Sequence, residues 1–359
     1  MDKIGIIVVI NRHVNGCVYY RQIAPHIESQ VNKQFEILIT DNTELMSDEE
    51  IKKYHIVQRH KGYHSPKQID RLKKLGLVTI VDFDDYWNLP TYHILYKNYY
   101  FEKNGKRKDI SDSDKFRAML QQYDYVTVTT PLLADEVRQF NPNVEVFENA
   151  INPEAPMWEI NHVKDNIVRF GYFGGSTHWE DVQLLRGTPN KLWQTERGKY
   201  NLFLFGHMKG SVTQNYLDIF TDYKRIMEPV KAFPVRPVLH SDQFSSYVQY
   251  YNFVDAVLVP LKDDKFNSMK SELKLVEAGF FHKPVIVSDV WPYRYIANEN
   301  NALLVKKPKD WYRHMRTLIN EPELRKELGE NLYKTVKEKY DVREVNKKRA
   351  DFYKKVIKK

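Results

Sequence analysis

Residues 265–289 read KFNSMKSELKLVEAGFFHKPVIVSD. The apolar, β-branched run PVIVS at 284–288 predicts a strand, and the spacing before it predicts a helix over 268–280. On that helix Lys270, Lys274 and Glu277 stand at i, i+4 and i+7, so they share one face, bordered by Ser271. Two cations beside a helix N-terminus suit a phosphate, because the free N–H groups and the macrodipole add to their charge. A carboxylate two turns further on can accept both hydroxyls of a ribose. The same spacing also describes an exposed Lys/Glu face held by ordinary helical pairing.

Working outward, the second half of the chain repeats the strand-then-helix rhythm. Strands are predicted at 167–173, 200–205, 230–233, 256–260, 284–288 and 302–305, with helices at 178–194, 241–251, 268–280 and 309–319. The first half has the same grammar. Its strands are expected at 3–10, 35–40, 55–59, 77–83, 125–130 and 144–148, and its helices at 17–31, 45–53, 65–75, 112–122 and 131–140. Residues 151–165 hold two prolines and no clear period, and read as a linker; 101–115 form a charged loop around Gly105. Short apolar strands alternating with amphipathic helices imply parallel sheets covered on both faces. The fold class is therefore α/β, with an N-terminal unit at 1–155, a C-terminal unit at 156–335 and a basic C-terminal helix at 336–359.

The chain has 359 residues, 42% hydrophobic and 28% charged, which excludes a disordered protein. No run approaches the roughly 18–20 apolar residues of a membrane span. The N-terminal apolar run lacks a basic leader and a small-residue cleavage site, so it reads as a first strand. A single cysteine, Cys17, excludes an internal disulfide and a multi-cysteine zinc site, and suggests a cytoplasmic setting. The net charge of +8 is concentrated at one end. Residues 305–359 hold 18 Lys and Arg against nine Asp and Glu, whereas residues 1–160 hold 20 against 23. The basic tail is a solvated helical face, a nucleic-acid footprint or a membrane contact.

Motifs at the carboxyl ends of strands matter most, because open parallel sheets bind ligands there. Gly174, Gly175 and Ser176 follow the first strand of the second unit, where a phosphate can approach backbone N–H groups or the chain can simply turn. His178 follows them in a supporting role. Arg21 is either a phosphate or acceptor ligand or a solvated arginine. Asp82-Phe83-Asp84 is a DxD that can hold a divalent metal against a diphosphate. Arg59 ends the third strand and can pair with these aspartates or reach a cleft.

The run FN..KS..K..EAG....PVI.SD..PY resembles the donor-site motif of retaining GT-B glycosyltransferases, most closely a bacterial and phage branch of family 4. Six further landmarks agree in order: VYYRQIAP (18–25), IVQR (56–59), VDFDDYWNLP (81–90), TVTTP (127–131), NAI (149–151) and GYFGGSTHWED (171–181). The resemblance implies two Rossmann-like domains facing a cleft, acceptor on the N-terminal side and nucleotide-sugar donor on the other, with a last helix crossing back. Glu277 then matches the glutamate that holds the ribose, and Lys270 and Ser271 lie where the diphosphate sits, supported by Lys274. Asn15 and Gly16 would point into the cleft, and Asp84 or Asp85 would orient or deprotonate the acceptor hydroxyl. Many members carry a second, sugar-facing glutamate where this chain has Met269; Asp264 or Asn267 would take its place. The implied enzyme is a metal-independent, cofactor-free hexosyltransferase using a UDP-sugar or a GDP-sugar. Its acceptor would be a surface or lipid-linked glycan, or alternatively a hydroxymethylated base in phage DNA. An inactive nucleotide- or carbohydrate-binding module and an epimerase of the same fold are the rival classes.

Overall fold

The computed structural model describes residues 3–10, 15–61, 65–163, 166–207, 230–234 and 241–358. The first sheet contains β1 (Ile4–Val9), β2 (Phe35–Thr40), β3 (Ile56–His60), β4 (Val78–Phe83), β5 (Tyr125–Val128) and β6 (Val144–Val146), in the order β2-β1-β3-β4-β5-β6. The second contains β7 (Val168–Phe173), β8 (Tyr200–His207), β9 (Val230–Pro234), β10 (Ala256–Val259), β11 (Val285–Ser288) and β12 (Leu303–Val305), in the order β12-β11-β10-β7-β8-β9. Every strand pair is parallel. All-parallel strands need cover on both faces, and β1, β7, β10 and β11 are accordingly buried almost along their whole length. Strand order reverses between β1 and β3 in one sheet and between β7 and β10 in the other. Each reversal opens a crevice outside the carboxyl ends of its strands.

The expected strands are all present, but four helices differ from expectation; that expected at 45–53 is confined to Asp48–Ile51. The 268–280 helix is two pieces, Lys265–Ser268 and Leu273–Phe280, with Lys270 and Ser271 in the turn between. Local hydrogen bonds explain the break: Asp264 caps the first piece through the Asn267 N–H, and the Ser268 hydroxyl turns back to the Lys265 carbonyl. The 178–194 helix is interrupted before Thr188–Thr195 by Gly187, whose φ of 80° belongs to the left-handed region. The 17–31 helix widens into a π turn at Tyr19–Ile23. Pro25 has no N–H to return to the Arg21 carbonyl, so the turn before it opens.

The final helix, Val342–Ile357, packs on the first sheet and not on the second. Its narrow apolar stripe includes Val342, Val345, Phe352, Tyr353 and Val356, which join Ile6, Val8, Phe35 and Phe147 in one core. The crossing is tied by two backbone bonds, Ile151 N–H to Tyr340 O and Val342 N–H to Ile151 O, both 2.8 Å. Among the described residues no helix is long and apolar enough to cross a membrane.

Candidate active site

The N-terminal rim is built on a buried acid. Asp82 ends the inward face of β4, fully buried, where a lone carboxylate would be strongly disfavoured. Four donors answer it: Arg21 Nε (2.9 Å) and Nη2 (2.7 Å), Thr127 Oγ1 (2.6 Å) and His60 Nδ1 (2.9 Å). Burial raises its pKa, but the Arg21 guanidinium and the His60 bond outweigh burial and hold the carboxyl below the usual range. Arg21 is therefore neither a solvated arginine nor a cleft ligand. It is a buried strut, bound also to the Phe147 and Val128 carbonyls and to Asn149 Oδ1. Asp82, with four donors on two oxygens, has no lone pair directed at a metal, which removes it from the DxD reading.

Asp84 and Asp85 follow at the strand end, facing the crevice. Lys61 Nζ sits between them, paired with Asp84 and 2.6 Å from Asp85 Oδ2. His60 Nε2 stands 3.8 Å from Asp84 Oδ1. Arg59 does not join this group. In the parallel register His60 stands opposite Asp82 and Arg59 opposite Val81, so alternation turns Arg59 to the other face, where its Nε is buried without a hydrogen-bond partner. Asn15 is spent on structure: its Oδ1 accepts the Val18 N–H and starts the helix behind Gly16.

On the opposite rim, β7 ends at Gly174 and Gly175. A side chain at Gly174 would collide with the Tyr172 hydroxyl, so close packing demands glycine there, whereas Gly175 faces open space. Ser176 opens the next short helix; its side chain lies outside the described residues. His178 Nδ1 donates to Asp181 Oδ2 (2.7 Å), and burial together with Lys274 pushes its pKa down to about 4. Asn267 is buried and serves the scaffold, its amide donating to the Lys262 carbonyl (3.0 Å) and Asp181 Oδ1 (3.3 Å), so it does not face a donor sugar. Lys274 Nζ is buried with no hydrogen-bond partner and lies over the Tyr172 ring (5.3 Å). Burial lowers its pKa to about 8.

The rims meet. Lys270 Nζ is 3.7 Å from Asp85 Oδ1, and Asn149 Nδ2 donates to Ser271 Oγ (3.0 Å). The Tyr20 hydroxyl donates to Glu277 Oε1 (2.6 Å), while Tyr251 donates to Oε2 (2.7 Å). Both Glu277 oxygens are thus occupied by phenols, one from each unit, and burial raises the carboxyl's pKa. Sequence reading missed His60, Lys61, Tyr20, Tyr251, Asp181 and Asn149. One signal was available: an acid at an inward position of an apolar strand requires a partner from a neighbouring strand end.

No protein-family model matches the chain, and no curated protein matches it significantly. Solved structures do match its fold. A glycosyltransferase from Rickettsia africae ESF-5 superposes with a TM-score of 0.68 at 13% identity, covering 100% of both chains. Sucrose-phosphate synthase from Thermosynechococcus elongatus gives 0.66 at 12%, covering 99% of each chain. HepE of Anabaena, solved in complex with UDP-glucose, gives 0.65 at 11%, covering 99% of this chain and 100% of its own. The architecture is GT-B: two Rossmann-like α/β units around a cleft.

Proposed function

We propose that the chain is a retaining glycosyltransferase of the family 4 type, a hexosyltransferase that moves a sugar from a UDP-sugar, or a GDP-sugar, to a hydroxyl acceptor. The observation that carries this reading is the contrast in charge across the cleft. Lys274 is a buried cation with no hydrogen-bond partner near Lys270, while the facing carboxylates Asp84 and Asp85 are already paired with Lys61. A buried ammonium with no hydrogen-bond partner suits an anion that can accept from it, and a diphosphate supplies one. The UDP-glucose held by one similar fold agrees with that ligand class.

In this mechanism Lys270 and Lys274 neutralise the departing diphosphate. One of its oxygens takes the acceptor proton on the same face, so no covalent carboxylate is needed. Lys61 pairs with Asp84 and Asp85 and, with Lys270, holds the Asp85 carboxyl below the usual range against the effect of burial; Asp85, 40% exposed, is placed to orient the acceptor hydroxyl. For Glu277 to accept ribose hydroxyls, the Tyr20 and Tyr251 phenols must give way. The reaction needs no cofactor and no metal, and the single cysteine fits a cytoplasmic setting. The acceptor is a surface or lipid-linked glycan. The DNA alternative leans on the basic tail, where Lys347 and Lys348 already face Glu344 and Glu148.

A thermal-shift series with UDP, GDP, ADP and their sugars tests the donor. A ligand at 100 times its Kd should add about 2.7 kcal/mol. Hydrolysis of the responding nucleotide sugar without acceptor, unchanged in EDTA, is the expected activity. Absence of any shift with every nucleotide rejects the reading, and loss of activity in EDTA with rescue by Mn²⁺ rejects its metal independence.

A further inference from the structure

Between β4 and the helix Asp112–Leu120, the chain makes an excursion whose surface the donor chemistry does not use. Ile94 (44% exposed), Leu95 (36%) and Ile110 (58%) are three of the eight large apolar side chains exposed among the described residues, and they fall within a stretch of seventeen. The helix Tyr96–Tyr100 leads into a hairpin closed at Phe101 and Arg107, with Asn104 and Gly105 turning its tip at positive φ. Lys108 folds that hairpin back, its N–H bonding the Tyr100 carbonyl and its Nζ the Asn98 carbonyl (2.8 Å). Residues 108–110 thus return to the side of 98–100.

The same stretch is cationic. Lys97, Lys103, Lys106 and Arg107 are exposed, against Glu102 and Asp109, while Lys108 is paired with Asp112 (3.1 Å). Residues 1–160 as a whole are slightly acidic, with 20 cations against 23 carboxylates, so this is a positive island on a negative half. Tyr96 packs against Tyr100 (4.5 Å), so the same stretch carries amphipathic rings. At its root, Tyr92 donates to Asp264 and lies beneath Lys262 (3.9 Å), so the excursion borders both rims of the cleft.

We propose that residues 94–110 dock the protein on an anionic lipid bilayer. Cations attract the headgroups, tyrosines suit the interface, and exposed isoleucine and leucine gain only by leaving water for acyl chains. A nucleic acid would use the cations and rings but offers nothing to the aliphatic groups, so the bilayer is the better fit. The final helix is the weaker candidate, because none of its large apolar side chains is exposed. If the glycosyltransferase reading holds, on which this step rests, the docked cleft receives a lipid-linked acceptor.

Co-sedimentation of the full chain with vesicles tests the docking. Phosphatidylglycerol vesicles should bind it at low salt and release it at high salt, and phosphatidylcholine vesicles should not bind it. Ile94→Ser, Leu95→Ser and Ile110→Ser combined, and separately Lys103→Glu, Lys106→Glu and Arg107→Glu combined, should each weaken binding roughly tenfold or more. Both variants should keep the wild-type thermal shift with UDP, which also confirms that they fold. No binding to phosphatidylglycerol at low salt overturns the proposal. So does binding that the serine variant leaves unchanged, or equal binding to double-stranded DNA, which would mark a general polyanion surface. A UDP shift without vesicle binding removes the docking alone; vesicle binding without a shift for any nucleotide removes the glycosyltransferase reading alone.

Discussion

The two rims of the cleft treat charge in opposite ways. On the N-terminal side the three strand-end carboxylates are paired: Asp82 with Arg21, His60 and Thr127, Asp84 and Asp85 with Lys61. On the C-terminal side Lys274 is taken out of water with no hydrogen-bond partner. A satisfied network fixes geometry, whereas an unsatisfied one stores affinity for a ligand of opposite sign. Under the proposed function, the N-terminal rim serves as a rigid platform for the acceptor hydroxyl and the C-terminal rim supplies cations to the diphosphate.

The sharpest way to break this comparison is to unbalance the platform. Arg21→Met should destabilise the free protein by about 3–5 kcal/mol in urea unfolding, because it strands a buried carboxylate. A loss below about 1 kcal/mol would mean that Asp82 is not held as an ion pair. The converse experiment removes the cation that lacks a hydrogen-bond partner. Lys274→Met should weaken UDP binding by about 1.5–3 kcal/mol, the range for a charge-assisted hydrogen bond, while the free protein keeps or gains stability. Comparable destabilisation by the two substitutions would erase the distinction between the rims.

Acid offers a subtler probe. Burial holds His26 neutral, with its pKa lowered to about 3, and His178 to about 4. A histidine lowered in the fold binds fewer protons there than in the unfolded chain. Stability should therefore fall as pH drops from about 6.5 toward those values, by up to about 1.4 kcal/mol per pH unit for each group. His26→Gln should flatten the slope measured by urea melts, and an unchanged slope would show that His26 is charged in the fold. The smallest effect is expected at the tail. Lys347→Glu and Lys348→Glu alter exposed pairs worth about 0–1 kcal/mol, so melts should barely move.

Much of the fold was legible because parallel strands announce themselves locally. IGIIVV, VTIVDF and VRFGYF are apolar on both faces, and only strands buried on both sides can use them. The crossing helix was legible for a related reason: its apolar residues are too sparse for anything but one stripe. The helix 268–280 was misread because its period is real, while its interruption depends on Asp264 and Ser268 competing for backbone groups. The site was legible only in part. Asp84 and Asp85 follow β4 and pair with Lys61, and Lys270, in the turn after Ser268, lies 3.7 Å from Asp85. The partners that hold Asp82 and Glu277 lie far along the chain, 61 residues between Arg21 and Asp82 and 257 between Tyr20 and Glu277, and no local pattern encodes them.

The returning helix also sets a schedule. Part of the first unit's core is supplied by Phe352, Tyr353 and Val356, more than 200 residues after that unit's last strand, β6. At synthesis rates of about 5–20 residues per second, the nascent first sheet waits on the order of tens of seconds with that groove uncovered. The second unit emerges complete during the wait. Translation therefore builds this protein from its middle outward, and the unit made first is the one finished last.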